Sequence, residues 1–339
     1  MRKLLLIICL AGTIIAGCSK EKNIEQSSNM DQSALEKIKV ITYNNGLKTG
    51  TSMLEFTSIQ AFDTTLYMLE QQMRIYDSSF YAQYGNLSEE AYDAKQTELG
   101  YNEQTPLIDF ESLLPYSNTM RQVYVALEND WLSNTELDIS AYPKIDYPFS
   151  LAEMTLLNSD GEVKIGNCIL KLTKKGYLWI TDGSFTTLSS FNNGDMSVLN
   201  LSTVITNLNE SSGDDCASWK SKEVSDDYVA GKRVIKHVHH HSYPWKWTES
   251  AEITSYKHNS NGWKKYAVDL GVSCQSYFRT SDCLSSSQIW SGWKRKHDKS
   301  IEKNNTIWGN WLGLRAENGA SVYGGFEYPG HSNSEVLTW

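Results

Sequence analysis

The sequence predicts an α+β protein, in which a helical N-terminal region containing a β-hairpin precedes an all-β, sandwich-like C-terminal domain. In the first part of the chain, apolar residues recur every three or four positions, as on one face of a helix. From residue 163 they alternate instead, and after residue 216 short β-like runs are separated by turn residues. We expect an α-rich domain over residues 36–212 and a β-rich domain over residues 213–339.

The start of the chain has the three-part order of a secretory signal peptide. Arg2 and Lys3 supply positive charge, residues 4–15 form an uncharged apolar run, and small residues precede Cys18. A membrane-spanning helix needs about 20 apolar residues, more than this run provides. We therefore expect residues 1–17 to be a signal peptide that is removed after export.

The stretch around Cys18 resembles a lipobox, the cleavage signal of bacterial lipoproteins. It reads Ile-Ala-Gly-Cys at residues 15–18. The resemblance implies that Cys18 becomes the first mature residue and carries acyl chains, of which two or more give a stable membrane anchor. Ser19 stands where lipoproteins kept at the inner membrane often carry Asp, so we expect the outer membrane. Residues 18–35 are polar and predict a flexible tether.

Three helices are predicted in the N-terminal domain. Residues 57–84 and 117–132 each carry an apolar stripe, which indicates packing against a core. A shorter helix is expected over residues 88–95. The predicted N-caps are Thr57, Ser88 and Ser117.

Strands are predicted from residue 163 onward. Alternation over residues 163–182 around a Lys-Lys-Gly turn predicts a β-hairpin. Residues 190–215 are rich in Asn, Ser and Gly and predict a loop or domain boundary. Further on, Asn261 and Gly262 predict a tight turn between two strands of the C-terminal domain.

Charge differs between the two parts of the chain. Residues 18–215 contain 13 basic and 28 acidic residues, a net charge of −15, whereas residues 216–339 contain 16 basic and 12 acidic residues, a net charge of +4. This asymmetry predicts two modules with different surfaces. A net charge of +4 is too small to indicate nucleic acid, and export argues against that partner as well.

Four cysteines remain once the signal is removed and Cys18 is lipidated. They are Cys168, Cys216, Cys274 and Cys283. An even number in an exported chain predicts disulfides. We favour Cys274–Cys283, which closes a short loop, together with Cys168–Cys216; four free thiols are the alternative.

The middle of the chain resembles a group of bacterial proteins. The segments that carry the resemblance are Pro-Leu-Ile-Asp-Phe-Glu at residues 106–111, Arg121, and Leu-Leu-Asn-Ser-Asp-Gly-Glu-Val-Lys-Ile-Gly-Asn at residues 156–167. They are similar to an uncharacterised family of secreted lipoproteins from Bacteroidetes-type bacteria, over residues 55–182. The resemblance implies an envelope lipoprotein with helices before strands, and it implies no catalytic residues.

A histidine cluster is the densest group of chemically active side chains. If residues 233–241 form a strand, His237, His239 and His241 share one face. His237 and His239 would lie about 6.6 Å apart along it, close enough to hold one zinc ion with ligands from elsewhere. Candidates for those ligands are His258, Glu249 and Glu252. The alternative is a strand whose histidines titrate without binding a metal.

Aromatic residues form a second candidate site. Tyr243, Trp245 and Trp247 alternate along a predicted strand, and Trp290 and Trp293 lie three residues apart. Exposed rings of this kind can stack on sugar rings, whereas buried ones fill a β-sandwich core. The sequence leaves both interpretations open.

The common catalytic motifs are absent from the sequence, including H-E-x-x-H, G-x-S-x-G and G-x-G-x-x-G. We therefore expect a non-enzymatic cell-envelope lipoprotein that binds a glycan or a protein through its C-terminal domain. A metal-dependent hydrolase centred on His237 and His239, with zinc as its cofactor, is the second hypothesis. A structural or assembly component of the envelope is the third.

Overall fold

The structure is a computed structural model that describes residues 38–44, 50–116, 118–134, 136–206, 208, 220–260, 262–280, 286–308, 314–316 and 322–337. The expected signal peptide, Cys18 and the expected tether lie outside these residues. Within the described ranges, none of the helices combines the length and the apolar character that crossing a bilayer requires. The described chain is mainly β with a helical region, which confirms the α+β class in outline.

A six-stranded sheet organises the N-terminal half. Its strands are β1 (Ile38–Tyr43), β2 (Thr51–Phe56), β3 (Glu162–Ile165), β4 (Cys168–Thr173), β5 (Gly176–Ile180) and β6 (Val204–Thr206). They lie side by side in that order, antiparallel except for the parallel pair β2–β3. The predicted hairpin is confirmed as β4–β5, but it is one part of a larger sheet.

Strands β1, β2 and β6 were not predicted from the sequence. β6 lies inside the segment that we expected to be a loop, so that prediction was wrong. β2 pairs with β3 across all the intervening helices, with Phe56 opposite Ile165. Such a pairing depends on contacts between distant parts of the chain, which local alternation does not reveal.

Helices cover this sheet. They are α1 (Ile59–Tyr84), α2 (Glu89–Glu98), α3 (Thr105–Ser112), α4 (Met120–Ser133), α5 (Leu151–Thr155) and α6 (Phe185–Asn192), with short 3₁₀ turns at Ile139–Ala141, Pro143–Ile145 and Met196–Asn200. On one face of the sheet, residues such as Leu54 and Val163 pack against Phe62 and Leu107 of the helices. On the other face, Ile169 packs against Leu188 of α6.

The helix starts refine the predicted N-caps. Ser58 caps α1, because its hydroxyl accepts a hydrogen bond from the backbone of Ala61 at 3.2 Å; the predicted cap, Thr57, was wrong by one residue. Ser88 caps α2 as predicted. Thr119 caps α4 through a capping box with Gln122. The predicted cap Ser117 lies outside the described residues.

Two five-stranded antiparallel sheets form the C-terminal half. The strands are β7 (Lys220–Val229), β8 (Lys232–Tyr243), β9 (Lys246–Asn259), β10 (Gly262–Lys265), β11 (Val268–Thr280), β12 (Ser286–Asp298), β13 (Ser300–Trp308), β14 (Leu314–Ala316), β15 (Val322–Tyr328) and β16 (His331–Leu337). The central sheet contains β7–β10 and β13, and the outer sheet contains β11, β12 and β14–β16. Strands β9 and β10 form the predicted antiparallel pair, with Gly262 opposite Asn259, whereas Asn261 of the predicted turn lies outside the described residues.

The central sheet is covered on both faces. One face packs against the outer sheet through a shared cluster that includes Val238, Ile253, Val272 and Phe326. The opposite face lies against the N-terminal half, where Ile235 and Tyr256 pack with Trp131 of α4. The molecule therefore has helices, a central sheet and an outer sheet in layers, and one face of the outer sheet is left for solvent or a partner.

A buried ion pair holds two helices together. The guanidinium of Arg121 on α4 donates to both carboxylate oxygens of Glu111 on α3, with Nε to Oε1 at 2.9 Å. Both side chains are 5% exposed. Both residues belong to the segments that carry the family resemblance, and their role here is structural.

We predict that Arg121→Met destabilises the fold by about 3–5 kcal/mol, because it leaves the Glu111 carboxylate buried without its cation. Chemical denaturation of the purified chain measures this change. Lys174→Met is the matched control, since it breaks an exposed pair with Asp146 and should cost at most about 1 kcal/mol. Equal costs for the two variants would contradict the prediction.

Candidate functional site

The junction between the helices and the central sheet contains a ladder of histidines. His237, His239 and His241 lie on the face of β8 that meets the N-terminal half, and all three are buried. Their rings stack in sequence, with centroids 4.4 Å apart for His237 and His239 and 5.6 Å apart for His239 and His241. The predicted shared face is confirmed, but it is an interior face.

The histidines of the ladder have opposite pKa shifts. Burial disfavours a charged His237, but the carboxylates of Glu223 and Glu252 outweigh it and raise its pKa. The Nε2 atom of His237 lies 3.1 Å from Glu223. Burial lowers the pKa of His239 well below its usual value, and the neighbouring His237 and His241 add to the effect. Protonation is thus favoured at His237 and disfavoured at the adjacent His239.

The predicted zinc site gains no further ligands in the described part of the chain. No group of three His, Cys, Asp or Glu side chains there is placed to share a metal ion. Of the candidate ligands, Glu252 does approach His237, with its Oε2 atom 3.9 Å from Nδ1. Zinc ligands lie roughly 2 Å from the ion, so two of them in one tetrahedral site are about 3.3 Å apart, somewhat closer than this pair. Zinc binding by His237 and His239 stays a prediction.

A pocket opens beside the ladder, at the end where His241 lies. Its volume is about 160 Å³. Lys246 donates to Glu153 at 2.8 Å, and His241 Nε2 lies 3.8 Å from the same carboxylate. The remaining charged lining residues are Asp63, Glu70 and Glu302. The pocket is therefore acidic, with one lysine as its cation.

Carboxyl groups in this pocket have pKa values shifted in opposite directions. Burial opposes ionisation of Glu153, but Lys246 and His241 overcome it and hold its pKa well below the usual range. Burial raises the pKa of Asp63 to about 6, although Lys246 and the Trp245 N–H counteract it. Burial and the Glu153 charge raise the pKa of Glu70 to about 7. Glu153 is thus ionised at neutral pH, while Glu70 titrates there.

Sequence reasoning missed this pocket. Asp63 and Glu70 lie seven residues apart on α1, so they share one side of the helix near its apolar stripe. That spacing is the one local signal that could have found them. Glu153 and Lys246 come from different halves of the chain, and only folding brings them together.

The first aromatic group does not form an exposed site. Tyr243 is 3% exposed, Trp245 is 7% exposed and Trp247 is 6% exposed. Tyr243 and Trp245 belong to the core of the N-terminal half, whereas Trp247 stacks near His240 at a centroid distance of 4.1 Å. Tyr243 and Trp245 thus face the N-terminal half, whereas Trp247 lies on the opposite face of the sheet, in phase with His240. All three are buried, and ligand contact through them stays a prediction.

The second aromatic group is exposed. Trp290 is 64% exposed and Trp293 is 38% exposed. Their partners on β11 are Gln275 for Trp290 and Ser273 for Trp293. Since Ser273 and Gln275 are two residues apart, they point to the same face of the sheet, and so do the two tryptophans. That face is the open face of the outer sheet.

A β-bulge explains how Trp290 and Trp293, three residues apart in the sequence, point to the same face of the sheet. Ser291 and Gly292 both lie opposite Cys274, which shifts the register between the flanking pairs. Gly292 has a φ of +66°, in the left-handed region that favours glycine. The Ser291 hydroxyl donates to the Cys274 carbonyl at 3.0 Å and supports the bulge.

Two tyrosines complete an aromatic platform, a name we use for Trp290, Trp293, Tyr277 and Tyr323. Tyr323 pairs with Gln275 from the other side of β11, in the same row as Trp290. The rings of Tyr277 and Tyr323 meet at a centroid distance of 5.6 Å. Both tyrosines are half-buried. The sequence analysis did not select them, because pairing across strands is what brings them beside the tryptophans.

The predicted disulfides stay predictions. Within the described residues, Cys168 and Cys274 are not joined to each other, and their predicted partners, Cys216 and Cys283, lie outside the described residues. Cys274 is fully buried, and burial raises the pKa of its thiol to about 12. A thiol in that state is a poor nucleophile, because the thiolate is the reactive form.

Comparisons with known proteins give little to set beside this geometry. No family model matches the chain, and no curated protein matches it. Among solved structures, the chain is similar to a DUF4848 family protein from Bacteroides thetaiotaomicron, at 12% identity, with 88% of this chain and 100% of that chain covered. The TM-score of 0.18 carries no argument about fold or function.

We predict that Asp63→Asn changes how stability depends on pH. The folded chain holds the Asp63 proton more tightly than the unfolded chain, since folding raises its pKa from 3.8 to about 6. The stability that this group contributes is complete below about pH 4 and is lost as the pH rises through about 6. The Tm of the wild type should therefore fall relative to that of D63N across this window.

Thermal melts of both proteins at each pH measure this difference. Thr64→Ala, a change at the adjacent exposed position of α1, is the matched control and should follow the wild type at a constant offset. A constant offset for D63N as well would show that Asp63 does not titrate in this range.

Proposed function

We propose that this chain is a non-enzymatic cell-envelope lipoprotein that binds a glycan or protein partner through the open face of its outer sheet. In this proposal, Cys18 carries the lipid that anchors the chain to the outer membrane. Residues 18–35 hold the folded part away from the membrane, and the C-terminal half is a sandwich-like binding domain.

The observation that supports the binding role is the placement of Trp290 and Trp293. Soluble proteins seldom expose neighbouring large aromatic side chains without a partner. Trp and Tyr dominate binding energy where they occur in contact surfaces. The bulge at Gly292 interrupts the regular pairing of β12 with β11. It places the rings of Trp290 and Trp293 on the same open face of the outer sheet.

The layered fold separates this face from the rest of the molecule. One side of the central sheet is occupied by the N-terminal half and the other by the outer sheet. A partner bound at the aromatic platform therefore contacts the outer sheet and not the central sheet.

We predict that the double variant Trp290→Ala with Trp293→Ala loses at least about tenfold in affinity for its envelope partner, since buried tryptophans commonly contribute 2 kcal/mol or more at contact surfaces. Immobilised mature chain, incubated separately with envelope protein and envelope polysaccharide fractions, measures retention of each. Unchanged retention of both fractions by the variant would refute the binding role of the platform.

Ile75→Ala is the matched control for this experiment. Ile75 is 58% exposed on α1, away from the platform. It should leave retention unchanged, and all the variants should keep the Tm of the wild type within a few degrees, because exposed side chains contribute little to stability.

We predict that Cys18→Ser moves the chain from the membrane fraction to the soluble exported fraction. The serine hydroxyl cannot carry the thioether-linked lipid, so the anchor is lost while the folded part is unaffected. Immunoblots of fractionated cells measure the distribution, with Cys168→Ser as the control that should stay with the membrane. A membrane-bound C18S variant would contradict lipidation at this residue.

A further inference from the structure

On the open face of the outer sheet, residues paired across neighbouring strands form rows. One row across the strands contains Trp293, Ser273, Gly325 and Ser334, and the next contains Trp290, Gln275, Tyr323 and Val336. The first row is therefore a strip of small residues with an indole at its edge. The second places an indole and a phenol on either side of an amide.

Glycine at position 325 is what allows Trp293 to lie over the strip. A Cβ atom on Gly325 would stand 3.0 Å from Cη2 and 3.1 Å from Cζ2 of the indole, and 2.5 Å from the Ser273 hydroxyl. Carbon atoms make favourable contact at about 3.5–4.0 Å, so any side chain here would push the ring away. The indole thus lies against the backbone of the sheet instead of standing up from it.

Polar groups lie between the rings. The Gln275 side chain donates one amide hydrogen to the Tyr277 hydroxyl at 2.8 Å. An amide offers two donors and an acceptor, so this bond leaves hydrogen-bonding capacity beside the rings. Gln288, opposite Tyr277 on β12, is exposed and adds a second amide. Rings interleaved with neutral amides suit a ligand that has both apolar faces and hydroxyl groups.

Two basic side chains beside the platform lie next to carboxylates. Arg295 donates to Glu327 through two nitrogens, with Nη2 to Oε1 at 2.8 Å, and its guanidinium lies 5.0 Å from the Trp293 ring centroid. His297 lies 2.9 Å from Asp269 in the next row. Among the basic residues of this face whose side chains the structure describes, Arg295 and His297 thus each lie beside a carboxylate, which weakens their attraction for an anionic ligand.

We infer that the ligand of the aromatic platform is a neutral polysaccharide, whose sugar rings stack on Trp290 and Trp293 while its hydroxyl groups bond to Gln275 and Gln288. Sugars present flat C–H faces that pack on aromatic rings, together with hydroxyl rims that need donors and acceptors. The two tryptophans are offset by two residues of β11, about 6.8 Å along the strand, which suits successive rings of one extended chain. This inference rests on the proposed function and narrows its partner.

The test measures binding of the mature chain to soluble neutral polysaccharides, namely glucans, mannans and xylans, with polygalacturonate as the acidic comparison. Affinity electrophoresis gives the retardation, and titration calorimetry gives the Kd of any polysaccharide that retards the chain. We expect at least one neutral polysaccharide to bind and polygalacturonate not to bind. Raising NaCl to about 0.5 M should change the Kd less than about twofold, because uncharged ligands are not screened.

Trp290→Ala and Trp293→Ala should each weaken this binding by about tenfold or more. Gly325→Val should weaken it to a similar extent without removing any aromatic group, because the new side chain displaces the Trp293 ring. Ile75→Ala is again the control and should bind like the wild type. Circular dichroism and Tm values establish that each variant is folded.

The outcomes separate this inference from the proposed function. If no neutral polysaccharide binds, or if binding is strongest to polygalacturonate and is lost at high salt, the inference is overturned. If, in addition, retention of the envelope protein fraction still depends on Trp290 and Trp293, the proposed function stands with a protein as the partner. If neither kind of binding depends on the two tryptophans, both are wrong.

Discussion

The tertiary structure depends on one hairpin tip from the C-terminal half that is inserted into the core of the N-terminal half. Strands β8 and β9 are joined through Pro244 and Trp245. The Trp245 ring lies 5.9 Å from Phe62 on α1 and 5.3 Å from Trp179 on β5, measured between centroids. Large aromatic rings bury more apolar area than other side chains, so this turn joins the helices and the sheets in one core. The position of the tip also fixes which way β8 faces along its length.

That orientation explains why so many charged and titratable groups are buried at the junction. Because Tyr243 and Trp245 lie in the core of the N-terminal half, alternate residues of β8 must face the helices. Those residues include the histidines of the ladder. Each charged group then needs a partner, because an unpaired charge in the interior is costly. Lys246 pairs with Glu153, and His237 pairs with Glu223. In the acidic pocket, burial raises the pKa of Asp63 although Lys246 counteracts it.

The outer sheet has the opposite character, since the face that carries Trp290 and Trp293 leaves these large side chains exposed. Its alternation follows the same rule as that of β8, yet the bulge at Gly292 interrupts it and places Trp290 and Trp293 on one side. Gly325 then provides room for the Trp293 ring against the backbone. Gly292 adopts a backbone conformation that favours glycine, and Gly325 leaves space for a neighbouring ring because it has no side chain. The irregular pairing thus places both indole rings on one face of the sheet, beside neutral amides.

The sequence by itself determined the lipobox resemblance at Cys18. It also determined which of several segments form helices and which form strands, because helix and strand periodicity are local properties of the chain. It found the stripe of α1, the β4–β5 hairpin and the shared face of His237 and His239. Tertiary structure alone decided which faces are covered. Tyr243 and Trp245 have the same alternating pattern as an exposed strand would have, but the helices occupy the space before them. Trp290 and Trp293 have a helical spacing in a strand, and only the register with Ser273 and Gln275 shows that they point the same way. Burial and register arise from contacts between distant residues, which periodicity along the chain does not encode.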